Sequence, residues 1–286
     1  MEPNLVILAG GISSRMKRPG PADLDPRLNT EADTKSKSMI GLGTEGRPFL
    51  DYLLYSAWRG GHRDVVVVVS ERDESIRANY ADPGRTARLT NLRISFAVQP
   101  IPDGRTKPLG TADALMCGLR ARRDWKGQHA TVCNSDNLYS ARAFMMVLEH
   151  PSGCAMMDYD RDALKFPRSR VEAFAVIVKD EKGAVLDIIE KPGPEDVKRA
   201  SDKNGRVGVS MNLWRFPYDR ILPSLEEVPL HPVRKEKELP AAVLIMLKQW
   251  PGMLVTLPVA EHVPDLTDRG DITIVREYLN KEFGEL

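Results

Sequence analysis

A short apolar run, Asn4 to Leu8, ends in Ala9-Gly10-Gly11, and Arg15 follows shortly after. A glycine pair behind a buried strand lets backbone N–H groups approach a phosphate or a base closely. An arginine beside it offers a fixed fork of donors to a polyphosphate. The turn lacks the spacing of a Walker loop and of GxGxxG, and taken alone it reads equally well as a tight strand-to-helix turn with a surface arginine. Lys35 and Lys37 come next. Asp136 stands just beyond the apolar run Ala130 to Cys133, Glu190-Lys191 follows Ile188-Ile189, and Asp265 follows the run Met253 to Val259. Carboxylates, fixed cations and backbone donors at strand ends suit a reaction between two anions, which needs metal and positive charge more than a covalent nucleophile. No Ser-His-Asp or Cys-His arrangement competes with this chemistry.

These groups need elements to place them. Val65 to Val69 is an all-valine run and reads as a central parallel strand. Leu92 to Val98 reads as another strand, and Leu50 to Arg59 and Thr111 to Arg122 read as helices. Strands alternating with helices imply βαβ units and a mostly parallel sheet, with ligands at the carboxyl ends of the strands. Gly10-Gly11 and Asp136 fall at such ends. The second half is more mixed. Ala173 to Val178 and Val185 to Ile189 alternate like antiparallel strands about the turn Asp180-Gly183, and Val207 to Phe216 is one further strand. Glu238 to Gln249 is helical, with Pro240 in its first turn, and Thr273 to Phe283 forms a last helix. Lys17 to Ser36, rich in Pro, Asp, Thr and Lys, reads as a long mobile loop.

Composition narrows the function classes. The chain has 286 residues, and 41 Lys and Arg against 40 Asp and Glu give +1. A balanced charge gives no support for nucleic acid as a partner. The longest apolar runs are too short for a bilayer helix. Met1-Glu2-Pro3-Asn4 has no basic region before its apolar run, so no secretory signal is expected. Cys117, Cys133 and Cys154 are odd in number and form no CxxC, which favours a reducing cytoplasm over a disulfide framework.

The glycine turn does not stand alone. Lys37-Ser38-Met39-Ile40-Gly41-Leu42 follows it. After this come Gln99, then Lys107-Pro108-Leu109-Gly110-Thr111-Ala112-Asp113, Asp136, Glu190-Lys191-Pro192, Val209-Ser210-Met211-Asn212-Leu213-Trp214 and Asp265-Leu266-Thr267-Asp268. In this order the set resembles the sugar-phosphate nucleotidyltransferase (NDP-sugar pyrophosphorylase) family, from Leu5 to about Leu279. The resemblance implies an α/β, three-layer, Rossmann-like fold with a mostly parallel twisted sheet flanked by helices and a smaller mixed sugar-binding part. One domain over residues 1–286 is implied, with a nucleotide-binding half to about 140 and a sugar-binding half beyond it. The implied reaction joins an NTP and a sugar 1-phosphate to give an NDP-sugar and pyrophosphate, with Mg²⁺ as cofactor. Leu8, Ala9, Gly10 and Gly11 would hold the base and phosphates, and Gln99, Gly110 and Thr111 would read the base edge. Arg15 and Lys37 would be catalytic, with Arg15 on the β- and γ-phosphates. Ala175, Glu190, Lys191 and Asn212 would face the acceptor, and Asp136 and Asp265 would share the magnesium ion. NTP and sugar phosphate would be the partners, without nucleic acid or membrane, and a homo-oligomer is compatible with the sequence.

Three departures mark this chain. The Arg15–Lys37 segment is long, Ala175 stands where the family has a glycine near the sugar, and Val263-Pro264 replaces a tryptophan before the second metal aspartate. Rival readings are a cytidylyltransferase for a non-sugar phosphate or phosphonate, a catalytically silent regulatory domain of the same fold, and a glycosyltransferase that consumes an NDP-sugar. Asp158-Tyr159-Asp160 spells the DxD of the last class but sits in a charged stretch and reads as a solvated loop. Arg234 to Glu238 alternates in sign and reads as a solvated helix start. Met145-Met146, Met156-Met157, Trp214 and Trp250 read as core packing.

Overall fold

The computed structural model describes residues 2–284. Its strands are β1 (Asn4–Ala9), β2 (Asp64–Ser70), β3 (Arg93–Gln99), β4 (His129–Asn134), β5 (Ala155–Asp160), β6 (Val176–Lys179), β7 (Val185–Ile189), β8 (Gly208–Val209), β9 (Leu213–Pro217) and β10 (Val255–Val259). Its helices are α1 (Pro26–Thr34), α2 (Phe49–Arg59), α3 (Ser75–Tyr80), α4 (Thr111–Ala121), α5 (Ala141–Glu149), α6 (Arg168–Val171), α7 (Pro194–Ala200), α8 (Tyr218–Glu227), α9 (Leu239–Gln249) and α10 (Asp271–Phe283). The strands form one mixed, mostly parallel sheet in the order β3-β2-β1-β4-β9-β5-β8-β6-β7, with β10 on β5. β3, β2, β1 and β4 are all parallel neighbours, and β9 turns the direction by pairing antiparallel to β4.

The apolar runs of β1 and β2 follow from burial on both faces. Leu5, Ile7 and Ala9 of β1 meet Phe49 and Leu53 of α2, Phe144 of α5 and Ile272 of α10 in one apolar cluster. Val6 and Leu8 point the other way, into a second cluster with Ala112 and Leu115 of α4, Ile221 of α8 and Val243 of α9. Strand alternation thus builds the three layers.

The structure corrects several local expectations. Lys17 to Ser36 is no structureless loop: α1 occupies its second half. Asp25 caps the helix by accepting from the Arg27 N–H at 2.8 Å, Pro26 starts it, and Leu28 and Ala32 are buried. Val207 to Phe216 is two strands rather than one. The chain breaks at Ser210–Asn212, where Asn212 takes φ +60°. Asp158-Tyr159-Asp160 is the end of β5 rather than a solvated loop, because Lys179 and Arg206 pair with the fully buried Asp158. Arg234 to Glu238 runs ahead of α9 without helical structure. Met156, Met157 and Trp214 are core, whereas Met145 is exposed.

Candidate active site

β1 and β4 end side by side, and the Ser135 N–H donates to the Leu8 carbonyl at 3.1 Å. A cleft of about 340 Å³ opens at these carboxyl ends, between the Leu8–Arg15 turn, Ser36–Ser38, Lys107–Thr111 and Asn134–Asp136. Of the residues singled out in the sequence, Leu8, Ala9, Gly10, Gly11, Arg15, Lys37, Gln99, Gly110, Thr111 and Asp136 all line it.

The glycine turn owes its shape to Gln99. A Cβ on Gly10 would lie 2.4 Å from the Gln99 Oε1, so no larger residue fits there without moving that amide. Gln99 is itself buried, and its Nε2 donates to the Gly110 carbonyl at 2.9 Å and to Asp113 Oδ2 at 2.8 Å. The amide is therefore bonded to the start of α4 and packs closely against the first turn. Gly110 sits at φ +109°, and a Cβ there would meet the Lys237 carbonyl at 2.7 Å and the Glu236 Cβ at 3.0 Å. The segment before α9 is sewn onto this loop. Lys237 N–H donates to Leu109 O at 2.5 Å, Ala112 N–H donates to Lys237 O at 3.0 Å, and Leu239 N–H donates to the Thr111 hydroxyl at 3.0 Å.

Opposite lies the charged side. Lys37 forms an ion pair with Asp136, and its backbone N–H donates to the Ser13 hydroxyl at 3.3 Å. Arg15 is exposed on the rim, while the carbonyl of the next residue, buried Met16, accepts from Arg269 Nε at 2.8 Å. Asp136 and Asp265 lie on neighbouring segments. Asn137 and Asp265 form an antiparallel bridge, and the Leu266 N–H donates to the Asp136 carbonyl at 2.8 Å. Thr267 lines the cleft, whereas Asp265 lies behind it, 9% exposed. Its carboxylate accepts from Arg170 Nη2 at 2.9 Å and from the Thr267 hydroxyl at 2.8 Å. Burial, and next the negative charge of Asp136, push the Asp265 carboxyl above its ordinary range, with Arg170 and Thr267 opposing.

Asp136 faces the cleft paired with Lys37, and Asp265 lies behind it paired with Arg170, so a hard cation reaching both would add to charges already partly neutralised. Magnesium is held by one or two protein carboxylates together with substrate phosphates and water, rather than by a closed protein cage. Among the described residues no cluster of three or more His, Cys, Asp or Glu side chains forms such a cage.

The acceptor candidates stand apart. Ala175, Glu190, Lys191 and Asn212 do not line this cleft. Glu190 accepts from Arg234 Nη2 at 2.5 Å, and Arg234 also pairs with Glu238 at 2.5 Å. Glu190 is thereby joined to the segment whose Glu236 does line the cleft. Lys107 and Glu236, 129 positions apart, form an ion pair on the cleft wall. Sequence reasoning passed over both. Lys107 lay inside a recognised motif without a role, and nothing in the alternating run Arg234 to Glu238 marks Glu236.

A glycine turn, an arginine, a lysine and Asp136 line one cleft at the carboxyl edge of an α/β sheet, with Asp265 on the segment behind it, and ligands of open α/β sheets sit at such an edge. The chain belongs to the nucleotidyl transferase family, whose model matches residues 26–216. It is similar to glucose-1-phosphate adenylyltransferases from Corynebacterium diphtheriae (23% identical over 223 residues, 78% of this chain and 48% of the relative) and Photobacterium profundum (26% over 226 residues, 78% and 51%). The chain thus spans about half the length of these curated relatives. Its fold matches that of UDP-glucose pyrophosphorylase from Acinetobacter baumannii, with a TM-score of 0.69 at 15% identity over 100% of this chain and 96% of that one. A UTP-bound structure of the A. baumannii enzyme gives 0.70 at 16% identity.

Proposed function

We propose that the protein transfers a nucleotidyl group from an NTP to a sugar 1-phosphate, forming an NDP-sugar and releasing pyrophosphate. The observation that carries this reading is the convergence of the Gly10-Gly11 turn, Arg15, Lys37 and Asp136 on one cleft at the ends of β1 and β4. An acceptor phosphate oxygen forms a bond to the α-phosphorus of the NTP while the bond to the pyrophosphate oxygen breaks. Backbone N–H groups of the glycine turn meet the phosphates, and Arg15 carries charge for their outer end. Lys37, fixed from behind by Ser13, neutralises charge that develops at the α-phosphate. Its pairing with Asp136 keeps the ammonium in the cleft before substrate arrives. Asp136 and Asp265 are the residues that would hold Mg²⁺, which supplies charge neutralisation of the bound phosphates. The acceptor would lie toward Glu190 and Lys191, with Asn212 and Ala175 on the wall beyond. The three cysteines are free, which favours a reducing compartment, and we place the protein in the cytoplasm.

A pyrophosphate-release assay over four NTPs, crossed with a panel of sugar 1-phosphates and choline-type phosphates, tests the reading. Turnover only with sugar 1-phosphates supports it. Turnover only with non-sugar phosphates reassigns the acceptor, and no turnover with any pair makes the chain a binding domain.

A further inference from the structure

We infer that Glu31, with Arg27 beside it on α1, is a positioning residue for Lys37: the pair closes the loop that carries this lysine to the cleft. This rests on the nucleotidyl-transfer reading above, in which Lys37 is the cation at the α-phosphate. It starts from Gly41, buried on the irregular stretch between Lys37 and α2. A buried backbone N–H and C=O need partners. Here α1 supplies both. The Gly41 N–H donates to Glu31 Oε2 at 2.6 Å, and the Gly41 carbonyl accepts from Arg27 Nη2 at 3.0 Å. Arg27 and Glu31 stand one turn apart, so neighbouring side chains of one helix face grip both polar groups of one residue. A Cβ on Gly41 would lie 2.6 Å from the Gly46 carbonyl, so a glycine is what lets the chain pass there.

The grip closes a loop. The Lys35 N–H donates to the Glu31 carbonyl at 2.8 Å. Glu31 therefore holds the approach to Lys37 through its backbone and the exit from it, at Gly41, through its carboxylate. Ser36, Lys37 and Ser38 form the apex of the loop and line the cleft. A single tight turn joins apex to base: the Met39 N–H donates to Ser36 O at 2.9 Å and the Ile40 N–H to Lys37 O at 3.3 Å. Glu31 Oε1 also pairs with Arg27 at 3.3 Å and Lys35 at 3.2 Å. Those partners are exposed, and such surface pairs contribute little. The bond from a carboxylate to a buried N–H is charge-assisted and is the strong member of the set. Ser13 supports the Lys37 N–H from the other side, so the clamp is the second of two supports. Misplacing a reacting group by about 1 Å can cost about 10²-fold in rate. Loosening the clamp therefore reads out in turnover rather than in substrate binding.

The test compares the wild type with Glu31→Ala and Glu31→Gln, each with and without Lys37→Ala. Alanine keeps the helical propensity of α1 and removes the carboxylate. Glutamine keeps an oxygen for the Gly41 N–H. Amide hydrogen exchange needs no substrate. Glu31→Ala is expected to speed exchange over residues 36–41 about 10-fold or more, with β1 and β4 unchanged, as loss of a bond to a charged group requires. In pyrophosphate release, Glu31→Ala is expected to lower kcat about 10-fold while KM for the NTP moves less than about 3-fold, and Glu31→Gln to stay within about 3-fold of the wild type. In the Lys37→Ala background, Glu31→Ala is expected to cost less than about 2-fold, because the group it positions is gone. Unchanged exchange over 36–41, or an equal rise over β1 and β4, overturns the clamp. Faster exchange with unchanged kcat, or the same kcat loss with and without Lys37, overturns its role in positioning and leaves nucleotidyl transfer standing. A wild type without turnover on any substrate pair overturns nucleotidyl transfer and the clamp's part in it, and the exchange rates then decide the clamp by themselves.

Discussion

Lys37 reaches Asp136 across the cleft while its own N–H is held by Ser13. Removing a preorganised cation at the point of charge development costs about 10²-fold in kcat or more. Lys37→Ala is expected to show that loss in a pyrophosphate-release assay, with an unchanged melting temperature, since the side chain sits at a cleft edge and not in the core. Wild-type turnover would remove Lys37 from the mechanism and turn attention to Lys35, whose ammonium pairs instead with Glu31 at 3.2 Å. Asp136 and Asp265 make a second case. If they share one ion, Asp136→Asn and Asp265→Asn each weaken activation by Mg²⁺, and the double variant is little worse than the poorer single one. Additive losses in a magnesium titration would separate the two aspartates. At this scale the sequence singled out residues that the fold brings to one cleft, because phosphate chemistry calls for a short set of groups. It did not show which of them were spoken for. That the Gln99 amide bonds to Gly110, and that Glu236 faces Lys107, depends on contacts across 11 to 129 positions.

α1 is the element whose role was least visible beforehand. Its residues are polar enough to look unstructured, and only its Leu28 and Ala32 face a core. It is docked by Arg269, from just ahead of α10. This buried guanidinium binds Met16 O, Asn29 Oδ1 at 2.8 Å and Asp33. Replacing it leaves these partners unanswered. Arg269→Met is expected to lower stability by about 1–3 kcal/mol in urea unfolding, the exposed Asp33 making the loss smaller than for a fully buried pair. It is also expected to raise KM for the NTP more than for the acceptor, because Met16 adjoins Arg15. Equal KM values with lowered stability would restrict Arg269 to the fold. β1, β2 and β4, by contrast, were plain in the sequence as apolar runs, since a parallel strand covered on both faces has no polar alternation to confuse it. β5 was hidden for the opposite reason. Asp158 looks solvated until Lys179 and Arg206 arrive from 21 and 48 positions away.

At the scale of the whole molecule, a buried base must stay neutral. His62 is fully buried against Phe144, and burial, then the charge of Arg215, push its pKa down to about 3. An unfolded histidine titrates near 6.5. Between these values the unfolded chain binds a proton that the native chain refuses, so stability falls as pH drops through that window. Urea unfolding at pH 7 and pH 5 is expected to show about 1–2 kcal/mol more acid loss in the wild type than in His62→Leu. Equal losses would exclude His62 as the source. The sheet order has a different consequence, in the dimension of time. β9, drawn from Leu213–Pro217, lies between β4 and β5, which are finished by Asp160. A ribosome adding about 5–20 residues per second exposes β4 for several seconds before its antiparallel neighbour exists. Until then the nascent chain carries an open edge beside its most apolar strands, the kind of edge that recruits other chains. Synthesis of this protein therefore passes through an interval in which a chaperone, or speed, stands in for a strand not yet made.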